Sequence, residues 1–152
     1  MPPRPLNNPV SWQRHVLMLA WAWLLAAAWG SVVQTQFNLQ ALVDLDVDIP
    51  LGLRALTTVH DLAAFAPIYA GILAAGWLPA LSLAAWWGRR QPGWRMTLMG
   101  IAAGLGMVAA VRAVDAVAPM PVFIDATRGL PGLLSMAAGS VLGGALYARG
   151  TR

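Results

Sequence analysis

The sequence predicts an all-α integral membrane protein: four transmembrane helices in a small bundle, with an extended or partly helical outer segment between the first and second. Three observations carry that expectation. Of 152 residues, 59% are hydrophobic and only 11% charged, whereas a soluble domain carries about 25% charged residues. The apolar residues fall into four long runs, and the arginines gather at alternate ends of those runs. The length is that of one domain, and a membrane bundle does without the large water-excluding core that a soluble fold of this size requires. The net charge of +4 comes from arginine alone, in a chain without Lys or Glu and rich in Ala, so it is not read as a nucleic-acid footprint. The absence of Cys excludes a disulfide, thiolate catalysis and a Cys-ligated metal.

The first 15 residues, with Pro2, Pro3, Pro5 and Pro9 beside Arg4 and Arg14, read as a short tail ending near an interfacial Trp12. The first span is expected over residues 16–33, an 18-residue run without charge, close to the ~20 residues needed to cross a ~30 Å hydrocarbon core. A cleavable signal peptide is the competing reading, since Arg14, the apolar run and Ala26-x-Ala28 imitate its three regions. Continuation of the run through Trp29 to Val33 favours a retained span.

Residues 34–61 are expected to form an outer loop. Within them Val43 to Ile49 alternates apolar and acidic residues, which at period 2 places Asp44, Asp46 and Asp48 on one face of an extended strip. The same spacing resembles the start of a calcium loop, but the loop glycine and the closing Glu are missing, leaving a solvated acidic edge. The second span, 62–87, is a 26-residue uncharged run containing Pro67 and Pro79, long enough to cross with tilt or kinks. The third is expected over 96–117 and the fourth over 129–147.

Arg4, Arg14, Arg89, Arg90, Arg95, Arg149 and Arg152 then fall on one side and Arg54, Arg112 and Arg128 on or near the other, with all six Asp on that second side. The positive-inside rule reads this as both termini cytoplasmic, in a bacterial inner membrane. Trp12, Trp86, Trp87 and Trp94 gather at the same inner interface, where indole is favoured.

At 100° per residue, Gly100, Gly104, Met107 and Val111 share a face of the third span, with Asp115 close to it and Arg112 on its flank. Gly132, Ser135, Gly139 and Gly143 align on the fourth; His60, Ala64, Gly71, Ala75 and Ser82 align on the second. Small residues let helix backbones approach, so Gly71, Gly100, Gly104, Gly132, Gly139 and Gly143 are the expected packing positions, while the first span, lacking a glycine face, should tolerate a larger side chain at Ala27.

If those faces look inward, His60 and Asp115 meet at the outer end, joined by Asp61, Arg112, Asp125 and Arg128. Such a cluster suits a proton-responsive or solute-binding site, because imidazole titrates near neutrality and a carboxylate fixes its tautomer. The structural alternative is a set of interfacial ion pairs, with Asp61 or Asp125 capping a following helix. One His with carboxylates is a poor metal set, no cofactor motif is present, and no phosphate loop, nucleophile elbow or HExxH occurs. An enzyme is therefore the least supported class. Asp61-x5-Pro67 and Asp125-x5-Pro131 form a faint internal echo, as a two-helix repeat would. The segments QTQFNLQAL, HDLAAFAP and FIDATRGLPGL are distinctive but carry no recognised activity.

The expected function is an interaction or assembly subunit of a homo- or hetero-oligomeric membrane complex, whose partners are the lipid bilayer and copies of itself or other membrane proteins. The alternative is a small carrier or channel with an outward-facing His/Asp/Arg site for protons or a small solute.

Overall fold

A computed structural model describes residues 11–118 and 124–152. Arg4, most of the N-terminal tail and Pro121 lie outside these residues. Among them the chain is all-helical: α1 (Trp12–Val43), α2 (Leu51–Gly88), α3 (Arg95–Val117) and α4 (Leu130–Gly150), with short 3-10 turns at Pro92–Trp94 and Asp125–Arg128. All four are long and apolar enough to cross a membrane. Each packs against its two neighbours in a ring, α1 on α2 and α4, and α3 on α2 and α4, the up-down-up-down arrangement that short connections favour.

Local chemistry sets the ends. Ser11 accepts a hydrogen bond from Arg14 N at 3.4 Å and opens α1; Pro50 precedes α2, and Pro131 stands in the first turn of α4, where the missing N–H has no intrahelical partner to lose. At the end of α4, Arg14 Nε donates to Gly150 O at 2.8 Å and Arg95 Nη1 to Thr151 O at 2.7 Å. Two guanidinium groups thus satisfy terminal carbonyls at the negative end of the helix dipole. The same contacts place the start of α1, the start of α3 and the end of α4 together, the arginine-rich end. Asp44, Asp46, Asp48, Asp61, Asp115 and Asp125 sit at the opposite, aspartate end.

Of the two forms expected for residues 34–61 the structure has the partly helical one, and the helix bounds at Val33 and Leu62 are corrected. This stretch is mostly helical: α1 runs ten residues past Val33 and α2 begins eleven before Leu62. At 32 and 38 residues these helices span about 48 and 57 Å, against about 32–35 Å for α3 and α4. They therefore project beyond the other two as an antiparallel hairpin. Nor is Val43 to Ile49 an extended strip. Val47 N bonds Leu42 O at 3.1 Å and Asp46 N bonds Val43 O at 3.0 Å, with Asp46 at φ 62°. This is a Schellman cap with Asp in the left-handed position usually held by Gly. Asp61, being well inside α2, caps nothing.

The core packs two large aromatics, Tyr69 and Trp77, among small and flexible residues that include Ala22, Ala26, Met99, Ala103, Met107 and Met136. A Cβ on Gly76 would fall on the Gly106 carbonyl oxygen and one on Gly144 on the Met99 carbonyl oxygen, so α2–α3 and α3–α4 touch backbone to backbone. Gly100 and Gly104 face Val141 of α4, Gly139 faces the Trp29 ring, and Gly143 faces Trp77 and Ala22 O. Gly132 faces the backbone of Ala126, in the 3-10 turn before its own helix. Gly71 departs from its expected role: it is exposed and an added Cβ there meets nothing within 4 Å. Ala27 departs too, being 3% exposed inside the bundle. Gly30 of the same helix lies against the Tyr69 ring, so α1 carries a close-approach glycine after all.

Candidate functional site

Polar side chains concentrate where the hairpin leaves the bundle. On α2, Arg54, Thr58 and Asp61 follow at i, i+4 and i+7 and so share a face, which meets the polar run Gln34, Thr35, Gln36 of α1. Thr35 Oγ1 donates to Asp61 Oδ2 at 2.7 Å, with Ser31 O a second neighbour at 2.9 Å. One turn outward, Gln36 Nε2 donates to Thr58 Oγ1 and Arg54 Nη1 donates to Gln36 Oε1, each at 3.0 Å. Thr58 in turn donates to Arg54 O at 2.8 Å. On the other flank, Gln34 Oε1 accepts from Ala126 N at 2.8 Å and ties α1 to the turn before α4. Thr35 is 1% exposed, which makes its bond to a carboxylate a charge-assisted one in a dry setting.

The three distinctive sequence segments therefore converge: QTQ of α1 meets Asp61 of HDLAAFAP and Ala126 of FIDATRG. Arg54, Thr58 and the Gln34–Gln36 run were not among the expected site residues. The spacing of Arg54, Thr58 and Asp61 along one helix face was the available signal.

The six expected residues separate into local groups. Arg112 pairs with Asp115 at 3.8 Å along α3 and Arg128 with Asp125 at 2.8 Å within one turn, both at i,i+3. Arg112 and Arg128 keep more than half of their side-chain surface exposed, whereas the Asp115 side chain retains 12%. Asp61 turns to Thr35. His60 is exposed and, among the described residues, makes no hydrogen bond or ion pair. The face expected to point inward, His60, Ala64, Gly71, Ala75 and Ser82, is instead on the outside of α2 along its whole length.

Inside the bundle a second polar set lies near mid-height. Ser31 Oγ and Trp77 Nε1 are buried without a hydrogen-bond partner among the described residues, and the Ser140 hydroxyl lies beside the Tyr69 phenol. Hydroxyls so placed can hold a water or bond one another, but no base adjoins them, so nucleophilic chemistry has no support there. Among the described residues no three His or Asp side chains gather as a metal ion requires.

Fold and site together define a class: an all-helical bundle whose four helices can each cross a membrane, with a polar junction at one end. Comparison with protein-family models, with curated proteins and with solved structures finds no match for the chain.

Proposed function

We propose that the chain is an integral protein of a bacterial inner membrane, with both termini cytoplasmic, that serves as an interaction or assembly subunit of a homo- or hetero-oligomeric complex. The observation that carries this reading is the outward stripe on α2. Ala64, Gly71, Ala75 and Ser82 form a stripe of small residues, flanked by the exposed Ile68 and Leu78, of the kind that packs helices, and no helix of the bundle covers it. Beside it, Ala75 and Ala80 of α2 and Ala109 and Ala113 of α3 line part of an open groove between the two helices, together with Ile72, Leu105 and Val114. Lipid has no need of such a face, whereas a partner helix does. Membrane residence is supported by the outward surface, where Leu17, Leu24, Leu78, Leu105 and Leu142 are each more than half exposed in a pattern unsuited to water.

The alternative, a carrier or channel with an outward His/Asp/Arg site, has less support. Its imidazole stands apart from its carboxylates, and its ion pairs neutralise charge locally at what would be a membrane face. The test is the mass of the particle purified in mild detergent. An assembly subunit migrates above one chain of 16.1 kDa plus its detergent, and Gly71→Leu reduces that mass while leaving the helical content intact.

A further inference from the structure

Toward the arginine-rich end, α1 and α2 leave an open groove between them. It encloses about 380 Å³, within the roughly 300–1,000 Å³ typical of small-ligand sites, and is walled by Val16, Leu19 and Trp23 of α1 and Ala74, Leu78 and Ala85 of α2. Ser82, the one hydroxyl of the α2 wall, donates to Leu78 O of its own helix at 2.6 Å. The Trp23 indole is likewise taken up by Ala70 O, so among the lining polar groups only Trp77 Nε1, which is buried, and the Tyr147 phenol of α4 remain, and the predominantly apolar walls suit a hydrocarbon chain. From Ala74 to Ala85 it extends about 17 Å along α2, close to half of the ~30 Å hydrocarbon core, the depth of one leaflet.

The rim has the opposite character. Continuing the α2 wall by one turn from Ala85 gives Arg89, exposed and with a side chain that, among the described residues, makes no hydrogen bond or ion pair. Arg90 lies 4.9 Å over the Trp86 ring, and Trp12, 74% exposed, stands one turn before Val16 on the α1 side. No Asp lies at this end. Arg14 and Arg95 are committed to the carbonyls that end α4, whereas Arg89 is uncommitted, and guanidinium is the side chain best matched to phosphate.

We infer that the groove holds an acyl chain of an anionic phospholipid taken from the bilayer, with the lipid phosphate against Arg89 and Arg90 and the indoles of Trp12 and Trp86 at headgroup level. This rests on the membrane reading above and is independent of the assembly reading. The lipid would seal the gap between α1 and α2 that no side chain fills.

The test uses the full chain reconstituted in vesicles of equal phosphatidylglycerol and phosphatidylcholine with identical acyl chains, then extracted in mild detergent for native mass spectrometry. The chain is expected to retain phosphatidylglycerol over phosphatidylcholine by at least about fivefold, as an arginine near an anionic surface provides. Replacing Arg89→Gln with Arg90→Gln removes the preference and keeps some lipid bound, whereas Arg149→Gln with Arg152→Gln, at the same end, keeps the preference. Ala74→Phe fills the groove and reduces total retained lipid; should it fail to fold, Ala20→Phe fills it from the α1 wall. Equal retention of the two lipids by the unaltered chain, or lipid retention unchanged in a folded Phe variant, overturns the inference. Vesicle flotation reads membrane residence and the particle mass in the same spectra reads assembly, so failure of either is seen separately.

Discussion

Thr35 of α1 donates its hydroxyl proton to Asp61 of α2 across 2.7 Å, in a position where Thr35 is almost wholly buried. Hydrogen bonds to charged groups contribute about 1.5–3 kcal/mol, so Thr35→Val, which keeps the shape and removes the donor, is expected to destabilise by about that amount. Asp61→Asn should cost less, because an amide oxygen still accepts. In a double-mutant cycle of Thr35→Val with Asp61→Ala, which removes the acceptor, followed by thermal unfolding in detergent, the losses should be clearly non-additive; additive losses would show that the pair does not fasten the hairpin.

The glycines divide by what lies opposite them. Gly76→Leu or Gly106→Leu forces apart two backbones in contact, and overpacking of this kind costs about 1–3 kcal/mol or more. Ala27→Leu should act in the same direction, since Ala27 is enclosed. Gly71→Leu, with open space before it, should leave the fold of the single chain unchanged. Melting temperatures of the four variants in one detergent test the ranking, and a Gly71→Leu protein as unstable as Gly76→Leu would contradict it.

Asp46 ends α1 in the left-handed region at φ 62°, which costs a non-glycine L residue roughly 1–2 kcal/mol. Asp46→Gly is therefore expected to be neutral or stabilising by up to about 1 kcal/mol, and Asp46→Val destabilising, because a β-branched side chain fits this region worst. Had Val43 to Ile49 been an extended strip, the order would reverse; the unfolding midpoints of the two variants decide.

How much of this was legible in the sequence follows from what periodicity can and cannot say. The four spans are marked by apolar runs bounded by arginine, and their core boundaries needed no tertiary information. The bounds of α1 beyond residue 33 and of α2 before residue 62 were hidden because span counting stops where polar residues begin, and Thr35 and Gln36 of α1 and Arg54, Thr58 and Asp61 of α2 are polar for each other's sake. The acidic alternation at Asp44 to Asp48 imitated a strand because a helix end and a turn can carry any short pattern. Most instructive is α2: spacing showed that His60, Gly71 and Ala75 share a face, but not which way it looks. In a soluble bundle hydrophobicity marks the inside; in an apolar bundle both sides are apolar and that signal is lost. The α2–α3 contact at Gly76 and Gly106 is hidden for a related reason: each helix of a ring has two neighbours, and a single small-residue face marks only one of them.

The arrangement of arginines predicts orientation. On the proposed orientation, with the arginine-rich end inside as the positive-inside rule favours, reporter fusions after Arg90 and after Arg152 should be cytoplasmic and one at Asp46 external. Replacing Arg89, Arg90 and Arg95 by Gln should produce mixed orientation, while the same change at Arg54 and Arg112 should not. A C-terminal reporter on the outside would overturn the orientation.

The central claim is that the outward face of α2 meets another helix. The chain has no cysteine, so a single Gly71→Cys or Ala75→Cys supplies a unique thiol, and mild oxidation in native membranes reads what lies against it. The account predicts a cross-linked species of higher mass from Ala75→Cys, either a doubled chain or one joined to a single partner, abolished by adding Gly71→Leu. Leu142→Cys, on the exposed side of α4, should give none. Equal cross-linking from Ala75→Cys and Leu142→Cys, or none from either Gly71→Cys or Ala75→Cys, would contradict it.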